Sequence, residues 1–132
     1  MSGSGGEEPL RIVRVPGKGR GIRAGRPFGE GQIVDTAPVV VVPAREWALV
    51  EQTDLGRFCF VWDDEKGSVA VALGRCSLFN HSYTPNVRAE KIFAGKLMRF
   101  YALRDVEPGE ELTINYNGDV DSRDPVGFDV TE

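Results

Sequence analysis

Three short segments gather residues able to do chemistry. Gly74-Arg-Cys-Ser-Leu-Phe-Asn-His-Ser-Tyr-Thr-Pro-Asn86 sets Asn80, His81, Ser82, Thr84 and Asn86 close together, directly after an apolar stretch. Polar side chains at that density either build a tight turn or bind a ligand. A Ser–His catalytic pair is not expected from Ser82 and His81, because sequence neighbours seldom aim their side chains at each other. Gly109-Glu-Glu-Leu-Thr-Ile-Asn-Tyr116 reads as a strand ending in a tyrosine. Its plain alternative is an edge strand with a half-buried ring. Gly17-Lys-Gly-Arg-Gly-Ile-Arg-Ala24 has glycines at alternate positions, which let backbone N–H and C=O groups approach a ligand closely. It is not the dinucleotide fingerprint, since the third glycine comes too early and no helix follows. An ordinary glycine-rich hairpin is its alternative.

A single histidine and two cysteines, Cys59 and Cys76, limit the rest of the chemistry. Clustered histidine ligands for zinc are impossible, and the cysteines lack paired metal spacing, so no metal is expected. Both cysteines are expected as buried thiols in a reducing compartment. The net charge of −4 comes from 16 basic and 20 acidic residues, unevenly spread. Residues 11–26 hold Arg11, Arg14, Lys18, Arg20, Arg23 and Arg26 and no acid, whereas residues 117–132 hold five acids against Arg123. Nucleic-acid binding normally wants a basic face that nothing offsets, so it is not expected. The acidic end can steer a cationic peptide toward the protein. Otherwise it is solvated, or folds back on the basic segment.

These segments need elements to hold them. With 132 residues, 41% hydrophobic and 27% charged, the chain fits one soluble globular domain. Its apolar runs, Val39 to Val42 among them, are too short to span a bilayer. No secretion leader is visible, which points to the cytoplasm, nucleus or nucleoid. Residues 1–8 read as a flexible leader. Arg11–Val15 reads as a strand, Pro16–Gly21 as a loop, and Ile33–Val42 as an extended stretch broken by Pro38. Pro43 suits the first turn of a short helix, Ala44–Gln52, with Trp47 and Val50 on one side. Arg57–Trp62 with Ser68–Leu73, and Asn86–Phe93 with Lys96–Leu103, read as hairpins, and Glu111–Asn115 as a final strand. The expected class is mainly β, with several small sheets and one or two short helices.

In this order, Gly-x-Gly-Ile-x-Ala, then Asn-His-Ser-x-x-Pro-Asn, then Gly-Glu-Glu-Leu-Thr-x-x-Tyr resemble the SET-domain protein-lysine methyltransferases. The resemblance covers roughly residues 10–117 and is of the minimal, single-domain type. It implies a SET fold over residues 9–117, in which the carboxyl-terminal motif threads a loop and meets the Asn-His motif. It implies S-adenosylmethionine as cofactor, contacted by Lys18, Gly19, Arg20, Gly21, Asn80 and His81. Tyr116 is implied as the catalytic residue, lining a channel for a substrate lysine and facing the cofactor. Phe58 falls where many members carry a cofactor-side tyrosine. Residues 118–132 are an acidic tail without a zinc-binding cysteine cluster, and Phe128 is the candidate to cover the adenine in its place. Tyr83, Asn115 and Ile114 depart from the family's usual cysteine, aspartate and aromatic, so the number of methyls added is not readable. The implied partner is a lysine on a basic peptide or histone-like tail, and small members sometimes complete their sites as homodimers. The rival is a non-catalytic SET-like binding module.

Overall fold

The computed structural model describes residues 8–132. The expected leader therefore lies outside the described residues except for Glu8, whose carboxylate pairs with Arg75 at 2.7 Å. Nine strands form two sheets among the described residues. In chain order they are β1 (Leu10–Val15), β2 (Gly19–Ala24), β3 (Ile33–Val42), β4 (Cys59–Asp63), β5 (Ser68–Ala72), β6 (Asn80–His81), β7 (Val87–Ile92), β8 (Leu97–Ala102) and β9 (Glu111–Ile114). The smaller sheet has the order β1-β2-β9-β6 and the larger the order β4-β5-β3-β8-β7. The class is mainly β, built from small antiparallel hairpins with one parallel pair.

Several local expectations shift. The stretch broken by Pro38 is one ten-residue strand. Its residues Ile33–Pro38 pair with β8, and Val39–Val42 pair with β5. Pro38 thus sits where the strand changes partner, the place in a central strand where a missing N–H costs least. The helix, α1 (Ala44–Val50), stops short of Gln52, and none of its residues is fully buried. Residues Asp54–Phe58 form a 3₁₀ turn, so Phe58 precedes β4 instead of lying on it. The loop expected through Gly21 ends earlier, because Gly19 already opens β2. Cys76 is fully buried and Cys59 only half-buried, so only one of the two is the enclosed thiol expected; both are free.

The core lies between the sheets and is built on alternating positions. Val34, Ala37 and Val39 of β3 point inward, as do Met98, Phe100 and Ala102 of β8. Ile22 of β2 and Leu112 of β9 join them, both at 0% exposure. Phe79 packs on Phe100 with ring centroids 5.0 Å apart. Each such ring buries on the order of 150–250 Å². Phe79 is the residue just before β6, so the core anchors the start of the polar Asn80–Asn86 segment.

Candidate active site

β9 is an inner strand, not the edge strand that its sequence alone allows. It runs antiparallel to β2, with Glu111 opposite Arg23 and Leu112 opposite Ile22. On its other side it runs parallel to β6, with Thr113 opposite Asn80 and Ile114 opposite His81. Ser82 N–H donates to the Ile114 carbonyl at 2.9 Å. Asn86, 3% exposed, closes the ladder with its side chain. Its Nδ2 donates to the Glu111 carbonyl at 2.8 Å and its Oδ1 accepts from Thr113 N–H at 2.9 Å. The amide thereby satisfies two backbone groups that the short strand leaves open.

This register sets His81 beside Tyr116. The backbone N–H of Tyr116 donates to His81 Nδ1 at 2.9 Å. An accepting Nδ1 carries no proton, so the network assigns the hydrogen to Nε2. His81 is 3% exposed, and its Nε2 has no partner among the described residues. Burial pushes the imidazole below its usual pKa; the Glu132 carboxylate opposes this and Lys18 adds to it. The neutral ring therefore offers one unspent donor. Tyr116 Oη donates to the Phe79 carbonyl at 2.7 Å. Burial first, and Glu111 second, push the phenol up to about 12 against the pull of Arg57, so it stays protonated. With its hydrogen committed to Phe79, the oxygen keeps its lone pairs for a ligand.

The glycine-rich turn supplies the opposite wall. Gly19 has φ +82°, a left-handed conformation that other residues adopt only at a cost. Lys18 Nζ meets Glu111 Oε1 at 2.8 Å, with both side chains largely enclosed. The other oxygen of Glu111 accepts Asn80 Nδ2 at 2.8 Å, and that nitrogen also donates to the Arg20 carbonyl at 3.0 Å. One carboxylate therefore ties the turn, β9 and β6 together. Glu111 and the Arg20 carbonyl together use both amide hydrogens of Asn80, so a ligand contact from Asn80 falls to its oxygen or its backbone. Gly21 differs from the expectation that it touches the cofactor. A Cβ there would come within 2.5 Å of Asn80 Nδ2 and 2.9 Å of Glu111 Oε2. Gly21 is needed for that close packing and does not line the cavity.

A cavity of about 700 Å³ opens between these walls. Lys18, Gly19, Arg20, Phe58, Asn80, His81, Tyr116 and Phe128 all line it, so the segments separated in sequence meet at one space. Phe128 stands 55% exposed, its centroid 6.1 Å from Tyr116 and 6.3 Å from His81, and so lies at the mouth instead of deep inside. The acidic tail folds back on the glycine-rich turn, the second of the two courses open to it: Thr131 lies against Gly17. Sequence reasoning missed Arg57, Leu78, Val126, Gly127, Asp129 and Thr131, which also line the cavity. Arg57 stacks over Phe58 at 5.2 Å, and its place directly before that ring was the available signal. Glu111 was inside a recognised motif, yet nothing in its spacing announced that it would bind Lys18 and Asn80.

Against known proteins, the family model described as "SET domain" matches residues 19–117. A Schizosaccharomyces pombe protein, "Histone-lysine N-methyltransferase, H3 lysine-37 specific", is 34% identical over 109 residues, covering 82% of this chain and 73% of that protein. A Yarrowia lipolytica protein, "Histone-lysine N-methyltransferase, H3 lysine-36 specific", is 31% identical over 116 residues. The chain spans only 15% of that second relative's length. A solved Plasmodium falciparum structure, provisionally assigned as a histone methyltransferase, superposes with a TM-score of 0.67 at 23% identity. It covers 83% of this chain and 93% of its own, a likeness that speaks to the fold alone.

Proposed function

The chain belongs to the SET domain family and is a protein-lysine N-methyltransferase, and on that premise we propose that it draws its methyl group from S-adenosylmethionine and delivers it to a lysine on a basic, histone-like tail. One observation carries the reading. The Asn80–His81 strand, Tyr116, the glycine-rich turn and Phe58 share a single cavity, although they lie up to a hundred residues apart. When bound, S-adenosylmethionine supplies an electrophilic methyl on a positively charged sulfur.

The residues present fit such a group. Phe58, Tyr116 and Phe128 offer aromatic faces to an adenine and to a cationic sulfur. Lys18, Arg20 and Arg57 line the same cavity and offer cations to an amino-acid carboxylate, although Lys18 is already paired with Glu111. The buried His81 Nε2–H is a donor without a partner among the described residues, which a bound ligand can satisfy. Gly19 leaves open space where a side chain would project.

The acceptor must arrive as a neutral amine, because only a free lone pair attacks carbon. A lysine with pKa near ~10.4 is neutral less than roughly one time in a thousand at pH 7. An aromatic channel disfavours the ammonium by desolvation, and Arg57 disfavours it by like charge. Tyr116 Oη, its hydrogen held by Phe79, accepts an N–H from the amine and turns the lone pair toward the methyl. With the cofactor bound, the same oxygen would be free to take weak C–H···O contacts from its methyl. His81 is not the base: its Nδ1 holds Tyr116 N–H, and its remaining ring atom carries a hydrogen. The proton the lysine must lose would pass to bulk water before the amine enters the cavity.

The acidic residues of the tail favour a basic peptide, and a histone acceptor implies action in the nucleus. The test is transfer of radiolabelled methyl from S-adenosylmethionine onto histones and other basic proteins, with mass spectrometry of the labelled residue. Label on lysine is expected. Tight cofactor binding without label on any of these proteins would favour the non-catalytic binding module instead.

A further inference from the structure

The larger sheet holds a second cavity, away from the one that contains Tyr116. β4 and β7 are the two outer strands of that sheet. Yet Trp62 of β4 meets Phe93, the residue just after β7, edge-on with ring centroids 4.9 Å apart. A contact between opposite edges means that the twisted sheet curls into a trough, bridged at this end by the two rings. A cavity of about 520 Å³ lies there, walled by Val41 and Pro43 as well as by the rings. It shares no lining residue with the cavity of Tyr116 and His81.

The polar groups in this second cavity are short of partners. Trp62 is 6% exposed and Ser68 9%. A buried indole N–H usually finds an acceptor. Among the described residues, neither the Trp62 indole N–H nor the Ser68 hydroxyl makes a hydrogen bond. Neither group is sealed in, since the enclosed side-chain atoms without partners are His81 Nε2 and Arg99 Nε. Both therefore open on the cavity that they line. Lys66 and Lys96 line it too, and neither joins an ion pair among the described residues. Lys96 has φ +54°, and its carbonyl is held by Val39 N–H at 3.0 Å, which fixes the root of its side chain. Asp63 is the one acid in the lining, and its Oδ1 already accepts Glu65 N–H at 3.1 Å and Lys66 N–H at 3.3 Å. Asp64 and Glu65 share that turn without lining the cavity. The unspent groups are an indole N–H, a hydroxyl and two ammoniums, set beside two aromatic rings. Indole and ammonium only donate, so a fitting ligand brings negatively charged acceptors next to an apolar side chain.

We propose that this end of the trough is a docking site for an acidic peptide segment of a partner protein, its apolar side chain on Trp62 and Phe93 and its carboxylate against Lys66 and Lys96. Phe93 is 57% exposed, so the site is open along one side. A passing peptide needs that opening, whereas a small-molecule pocket encloses most of its ligand. The site is independent of methyl transfer, and it selects the charge opposite to that of the basic acceptor proposed for the first cavity.

Titration of the nitrogen-15-labelled chain with a six-residue peptide alternating phenylalanine and glutamate tests this, read at the Trp62 indole N–H and the Ser68 and Lys96 amides. A Trp47→Phe variant assigns the indole signal. Saturable shifts at all three groups are expected, with Gly19 and His81 unmoved. The same peptide with lysine in place of glutamate should shift none of them. Lys66→Gln combined with Lys96→Gln should weaken binding of the acidic peptide about tenfold, the sum of two exposed charge pairs. No shift with the acidic peptide, equal binding of the basic one, or unchanged affinity in the lysine variant overturns the proposal. N-acetylphenylalanine binding as tightly as the peptide would make the occupant a free aromatic acid. Sedimentation of the parent as a dimer that Phe93→Ala breaks would make it a second copy of this chain. Either result overturns the peptide.

Discussion

Tyr116 and His81 are locked together by a bond between a backbone group and a ring. The tyrosine is held at both ends, its N–H by His81 Nδ1 and its hydroxyl by the Phe79 carbonyl. A group fixed in that way does not need to reorganise when a substrate arrives, which is where positioning lowers a barrier. Tyr116→Phe should keep the fold and the cofactor affinity but lower turnover on the order of 10²-fold or more, measured by steady-state methyl transfer. Parent-like turnover in a folded variant would remove the hydroxyl from the reaction. His81 makes a second check possible because it is the chain's one histidine, so its imidazole signals in NMR are unambiguous. Its pKa is lowered by burial, so the ring should titrate below 6.5. Protonation favours the unfolded chain: the stability from the neutral ring is complete above pH 6.5 and is lost as pH falls through the folded value. A midpoint at or above 6.5 would contradict the enclosure of the ring.

At the scale of elements, everything depends on a four-residue strand. β9 is short, yet it is the seam on which β2 and β6 both pair. Two side chains brace it: the Asn86 amide completes the ladder, and the Glu111 carboxylate holds Lys18 and Asn80. Asn86→Ala leaves the Glu111 carbonyl and the Thr113 N–H without their partner inside the protein, at about 1–3 kcal/mol for each group. We expect the variant to lose about 2–4 kcal/mol in urea unfolding, with methyl transfer falling alongside it. A loss within about 0.5 kcal/mol would mean that water replaces the amide and the seam is less dependent on it. Little of this was legible beforehand. The alternation in β3 and the turn residues between β4 and β5 announce themselves locally. The partners of β9 do not, because residues 22–23 and 80–81 reach it only through the whole chain's topology.

On the scale of the whole molecule, the sequence spoke clearly where the constraint is local or chemical. The mainly β class followed from short alternating runs and frequent turns, and eight of the nine proposed cofactor residues line one cavity. Gly21 was the exception, because glycine spacing alone does not distinguish a ligand cradle from close packing against Asn80 and Glu111. The course of the C-terminal tail was illegible for a different reason. Residues 118–132 have no hydrophobic period, and they are held by Ser82 and Tyr83, through bonds that span 50 and 41 residues. Pro38 looked like a break because its missing N–H was visible and the change of partner strand was not. The central claim is that distant motifs build one pocket for a sulfonium cofactor, and backbone NMR during titration with S-adenosylhomocysteine tests it directly. The account predicts saturable shifts at Gly19, Asn80, His81, Tyr116 and Phe128 together, with β7 unmoved. Shifts confined to another face, or none at saturating ligand, would contradict it.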